Sequence, residues 1–192
     1  MRESGRNRME ANIRKVMDLR EAQPRDRTRL YYMLQAHLHE QAEISGRPQP
    51  PTLEIPYPGF KDFLLNEGDR FAYILEHESE IAGFVFCRYE SSKDAGLPQL
   101  QATRVLLLAE VYLSPGHRGE GISQFVQEQM LEAAQRKRIP MTWTSLQADR
   151  EANRLYDRFC RWAVRTKGFK HRRLDVTDSD GNPCYRYLLK LE

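Results

Sequence analysis

The sequence predicts a single α/β domain in which strands and amphipathic helices alternate. Three observations predict it: β-rich runs that pair as hairpins, apolar residues recurring at helical spacing, and a strongly apolar run at 104–113 that leads through a glycine turn into a helix. The 192 residues suit one well-packed core. Apolar residues make up 40% and charged residues 30% of the chain, the composition of a globular protein rather than a disordered one. The longest unbroken apolar run, Val105–Ala109, is far too short to cross a bilayer. No apolar stretch follows Arg2, Arg6 and Arg8, so a secretory signal is not expected and a cytoplasmic setting is. Residues 1–10 are expected to be flexible and residues 11–192 to form the domain.

In chain order, Ile13–Leu19 alternates Ile13, Lys15 and Met17 with Arg14, Val16 and Asp18, the period of a first strand. From Arg25 onward, Leu30, Met33, Leu34, Leu38 and Ala42 recur every three to four residues. Pro24 stands just before them, where a missing N–H is tolerated, so this is an amphipathic helix. Pro48, Pro50, Pro51, Pro56 and Pro58 impose a loop, after which Phe60, Phe63 and Leu64 fit a short helix ending near Asn66 and Gly68. Phe71–Glu76 and Ile81–Tyr89 form an antiparallel hairpin, and Ser91–Leu100 is a loop before the central strand Arg104–Leu113.

After the turn Pro115–Gly121, Ile122, Phe125, Val126, Met130, Ala133 and Ala134 mark a helix that Arg136, Lys137 and Arg138 close, complementing its dipole. Met141–Leu146 is a strand. Ala152, Leu155, Tyr156, Phe159 and Ala163 mark a last helix, with Gly168 as its left-handed cap. Arg173–Thr177 and Cys184–Leu191 flank Ser179-Asp-Gly-Asn as a closing hairpin.

Charge and cysteines narrow the classes further. Lys+Arg 30 against Asp+Glu 27 leaves +3, too mild an excess to require a polyanion. Cys87, Cys160 and Cys184 lack CxxC spacing and read as buried free thiols, and no histidine pair has zinc-site spacing, so no metal is expected. The turn Arg118-Gly119-Glu120-Gly121-Ile122-Ser123 is more informative. Glycines between a strand and a helix let backbone N–H groups converge on an anion where the helix terminus is positive, although such a turn also serves as a plain tight connection. It is neither a Walker loop nor GxGxxG.

The pattern Leu113-x-Pro115-x-x-Arg118-Gly119-x-Gly121-Ile122-Ser123 resembles the acyl-CoA signature of the GNAT family of N-acetyltransferases, with Ser123 where the family usually has Gly or Ala. The order of elements is similar to that family over nearly the whole chain. The resemblance implies the GNAT acyl-CoA N-acyltransferase fold, a mixed, mostly antiparallel sheet flanked by helices and splayed at its central strands. It implies acetyl-CoA as co-substrate and direct acetyl transfer to a primary amine of a small molecule, peptide or protein, in a sequential mechanism. At matching positions it places Leu113 at the splay, offering backbone groups to the thioester and pantetheine. Gly119, Glu120, Gly121, Ile122 and Ser123 would face the CoA diphosphate with Arg118 beside them.

Glu110 interrupts the apolar strand three residues before Leu113. A carboxylate there either faces a wet cleft, binding the amine or accepting its proton, or forms a structural ion pair with a neighbouring arginine. Tyr156 is a candidate acid for the departing thiolate by the resemblance, with ring packing as the alternative. Tyr112 and Trp143 are candidate acceptor contacts or core aromatics. His37 and His39 on the first helix are read as surface histidines beside an amphipathic face, with substrate contact as the alternative, and His117 is expected to face solvent. Two departures from the family stand out: Asp149 replaces an expected asparagine and reads as a helix cap, and Gly168-Phe169 comes late after Tyr156. They motivate a rival, a non-catalytic CoA-binding or interaction module of the same fold. A nucleic-acid binder using Arg136–Arg138 and Lys170–Arg173 ranks last, because aromatic stacking motifs are missing. Substrate selection is expected in the loops Arg47–Gly59 and Ser91–Leu100. The acceptor and a homodimer stay open.

Overall fold

The computed structural model describes residues 17–48, 53–100, 104–118 and 121–191. Its elements are β1 (Met17–Glu21), α1 (Arg27–Ile44), α2 (Phe60–Leu64), β2 (Arg70–His77), β3 (Glu80–Ser91) and β4 (Arg104–Leu113), then α3 (Ile122–Lys137), β5 (Met141–Leu146), α4 (Arg150–Lys167), β6 (Phe169–Thr177) and β7 (Pro183–Leu191). The first strand is thus centred later than its alternation predicts, and residues 13–16 lie outside the described residues. The last hairpin begins at Phe169 rather than Arg173, because α4 is one continuous helix that ends at Gly168 in the left-handed region, φ 69°. The late Gly168-Phe169 therefore reflects a longer helix, not an inserted loop.

The seven strands form one sheet in the order β1-β2-β3-β4-β5-β7-β6. Every neighbouring pair is antiparallel except β4 and β5. Strand alternation sends side chains to two separate cores. On one face α3 and α4 cover Leu75, Val85, Leu106, Leu108, Met141 and Tyr187. On the other, α1 and α2 lay Leu30, Leu34, Phe60 and Phe63 over Ile74, Phe84, Phe86 and Tyr112. Phe86 is fully buried and stacks on Phe63 at 4.7 Å. Truncating it to alanine would cost about 3–5 kcal/mol. The loop after β3 buries Ala95 and Leu97 against Val105 and Leu188. Apolar side chains fix it there, and the Arg186 guanidinium donates to the Ala95 carbonyl.

Two irregularities open the sheet. Phe86 lies opposite Glu110 but Cys87 opposite Leu108, so Ala109 is an extra residue, a β-bulge. β4 and β5 pair only through Leu106–Leu108 and Met141–Trp143. Beyond them β4 stays with β3 and β5 with β7, so the two halves of the sheet diverge around a gap. Among the described residues no helix is long and apolar enough to cross a membrane. The three cysteines are buried free thiols.

Candidate functional site

The gap is built from backbone phase. Ser114 donates its N–H to the Ala82 carbonyl at 2.9 Å, and Gly83 lies opposite Leu113. In an antiparallel ladder this phase turns the N–H and C=O groups of Leu113, and of Val111 two residues earlier, away from β3. They point to the side where β5 has already departed. The Leu113 carbonyl is taken by the Arg118 Nε–H at 2.9 Å. The splay thus begins at Ala109, four residues before the place expected, and Val111 joins Leu113 at its wall. Sequence patterning gave no sign of Val111, since a bulge has no residue signature here.

The bulge also aims Glu110. Leu106 and Leu108 face the α3/α4 core, and strict alternation would send Glu110 after them. The extra residue shifts the phase, so Glu110 turns with Tyr112 towards α1 and α2. There His37 Nε2 lies 2.9 Å from Glu110 Oε2, and the Tyr57 hydroxyl donates to Oε1 at 3.2 Å. Burial first, and the Glu110 charge and hydrogen bond next, push the Tyr57 phenol well above its ordinary value and keep it a donor. The carboxylate retains about two further lone-pair sites for a ligand. Neither partner is the arginine of the ion-pair alternative. Sequence reading left His37 on a surface and did not single out Tyr57. Tyr57 also lines a groove with Tyr31, Tyr32, Glu54 and Phe60 that opens between α1 and the 53–62 segment.

Tyr112 lines the same side, 6% exposed, its ring 5.6 Å from His37. Across the gap, Tyr156 is partly buried, its ring 5.6 Å from Trp143 and 5.4 Å from Tyr187. Burial chiefly raises its phenol far above the ordinary value, with smaller contributions from Asp149, then Tyr187 and last Glu110, so the hydroxyl keeps its proton at neutral pH. Trp143 is only 2% exposed and stacks on Tyr187 at 5.4 Å with planes 6° apart. It faces the α4 core from the part of β5 still inside the sheet and packs against Tyr156.

The described ends of the turn after β4 are held by hydrogen bonds. Gly121 is left-handed, φ 81°, at the N-cap of α3, and its carbonyl accepts from Gln124 and Phe125. Ile122 and Ser123 open the helix there; Gly119 and Glu120 lie outside the described residues. Arg118, expected beside a diphosphate, is held by Glu40 on α1, which takes its Nη2 at 2.7 and 2.9 Å, while the Leu113 carbonyl takes Nε. It braces the end of β4 against α1. His117 is half-buried beside His77, their Nδ1 atoms 3.3 Å apart, rather than facing solvent.

Asp149 caps α4 by accepting from the Ala152 N–H at 2.9 Å. An asparagine that reading overlooked, Asn153, is buried and reaches the Leu146 carbonyl at 2.9 Å and the Tyr187 hydroxyl at 3.1 Å. It fixes the free half of β5 to α4, and so keeps the gap open from that side. Among the described residues no group of three or more His, Cys, Asp or Glu is placed to hold a metal ion.

Comparison with known proteins agrees with this architecture. A profile of the acetyltransferase (GNAT) family matches residues 30–184. The chain belongs to the GNAT acetyltransferase family. Among solved structures it is similar to Arabidopsis thaliana NAA60 in complex with a bisubstrate analogue, at 17% identity and TM-score 0.63, covering 92% of this chain and 99% of that one. The complex of NAA60 with acetyl-CoA aligns at 16% identity and TM-score 0.62, covering 90% of this chain and 97% of the other. The Drosophila melanogaster polyamine N-acetyltransferase, which forms N-acetylagmatine, aligns at 15% identity and TM-score 0.64, with 91% and 100% covered. No sequence among curated proteins matches significantly.

Proposed function

We propose that this chain is an N-acetyltransferase, a single domain over residues 11–192, that moves the acetyl group of acetyl-CoA directly to a primary amine. The observation that carries the reading is the bulge at Ala109: β4 and β5 separate there, and the shifted phase turns Glu110 to the α1 and α2 face beside the opening. Unpaired strand amides beside a glycine-capped helix suit a thioester ligand with a diphosphate. The N–H groups of Val111 and Leu113 would meet its acyl and pantetheine portion, and the turn Gly119–Ser123 its phosphates. Acetyl-CoA supplies the activated acyl group; the protein supplies orientation and proton handling.

Glu110, held by His37 and Tyr57, receives the incoming ammonium and takes its proton directly or through water, because only the neutral amine is nucleophilic. The groove past Tyr57 and Tyr31 is the approach for the acceptor. A main-chain N–H at Leu113 stabilises charge developing on the acyl oxygen. Tyr156, kept protonated by its burial, gives a proton to the departing sulfur. Both reactants occupy one cleft, so transfer needs no covalent enzyme intermediate, and Cys87, fully buried, takes no part. A cytoplasmic setting completes the proposal.

Thiol release from acetyl-CoA against a panel of polyamines, aralkylamines and peptides with free N-termini tests it. Turnover with at least one amine, lost in Glu110→Gln, is expected. Measurable CoA affinity with no turnover for any amine would leave the non-catalytic module.

A further inference from the structure

The last helix carries a surface that acyl transfer does not use. Arg150, Arg154, Arg158, Arg161 and Arg165 of α4 are all exposed. At about 100° per residue they fall within an arc of about 80°, and at 1.5 Å per residue they run about 22 Å along the helix. Phe159, Cys160 and Ala163, buried in the core, lie on the opposite side. None of the five makes an ion pair among the described residues. Of the two acids on α4, Asp157 pairs with Arg173 at 3.2 Å and Glu151 sits in the first turn.

We propose that this arginine stripe docks the phosphate backbone of a double-helical nucleic acid. Five like charges in line, without internal neutralisation, keep counterions or a polyanion close, and guanidinium groups suit phosphate oxygens. The helix offers no wedge for a membrane: its apolar face is buried in the core, and Val164, at 42% exposure, is its one large exposed apolar side chain. It also lacks the exposed aromatic anchors of a protein-binding patch. With no ring to stack on unpaired bases, the surface fits a duplex rather than a single strand. Of the basic segments singled out from sequence, Lys137 lies over the Tyr89 ring and Arg173 is paired with Asp157. Net charge conceals the stripe, because acids elsewhere offset it.

Fluorescence anisotropy of the full chain with labelled duplexes of about 20 base pairs, one DNA and one RNA, tests the proposal across a salt series. Binding to either duplex is expected, with a log–log salt slope of about −4, near 0.9 per neutralised phosphate. The triple variant Arg154→Gln/Arg158→Gln/Arg161→Gln should lose at least about 10-fold in affinity at low salt and shed about 3 units of slope, with thiol release unchanged. Absence of binding to both duplexes, or a triple variant that binds as well as the parent, would overturn the proposal. So would tighter binding to phosphatidylserine vesicles than to either duplex, which would assign the stripe to a membrane surface.

Discussion

Glu110 lies 73 positions from His37 and 53 from Tyr57, yet both side chains close on its two oxygens. The carboxylate was legible in the sequence because it breaks an apolar run. Its partners were not, because nothing local to a helix histidine or a proline-rich loop announces which strand will pass beneath it. At this scale two substitutions separate chemistry from binding. Glu110→Gln keeps the shape and removes the proton acceptor, so kcat/KM should fall about 10²-fold or more while calorimetric affinity for acetyl-CoA stays as it was. Tyr156→Phe should lower kcat more than it weakens acetyl-CoA binding. An unchanged kcat would leave Tyr156 to its aromatic cluster with Trp143 and Tyr187.

The elements of the fold were read from periodicity with little error, since each buries one face and is punctuated by proline or glycine. What the pattern concealed was the extra residue in β4: Ala109 is apolar like its neighbours, and a one-residue shift leaves composition untouched. Hydrogen exchange tests the consequence. The amides of Val111 and Leu113 should exchange quickly in the free protein and slow on addition of CoA, whereas that of Ser114, bonded to Ala82, should be protected in both states. The turn offers a second test, because Gly121 at φ 81° leaves a left-handed position that Trp fills only with strain. Gly121→Trp should abolish CoA affinity with the fold largely intact; undiminished affinity would refute the cradle.

β1 is tied to the start of α1 by Arg20, which reaches Asp26 at 2.7 Å and Glu76 at 2.7 Å. The Arg20 hydrogen bonds hold the Asp26 carboxyl below the usual carboxylate range, against the opposing effect of burial. A depressed acid stabilises the fold above its unfolded value, about pH 4, and that contribution is lost as pH falls through the folded value. Asp26→Asn should therefore cost about 1–3 kcal/mol at pH 7 by denaturant unfolding, and less below pH 3.

Across the whole molecule, two cores on opposite faces are joined by a sheet whose central seam is only the Leu106–Leu108 ladder. The two hairpins and the strand-helix-strand run over 104–146 were legible in the sequence, whereas the sheet order, with β7 lying between β5 and β6, and the division into two cores were not. The width and contents of the gap came from long-range packing, with Arg118 bracing one half against Glu40 and Asn153 bracing the other against Leu146. Asn153 reads as helix filler in isolation, and Arg118, singled out beside the diphosphate, gives no sign in the sequence that Glu40 will hold it. The seam makes one ligand decisive for the account: isothermal titration of the full chain with acetyl-CoA. The account predicts saturable heat for one site per chain and a dissociation constant in the micromolar to millimolar range. No detectable heat with acetyl-CoA or with free CoA would contradict it.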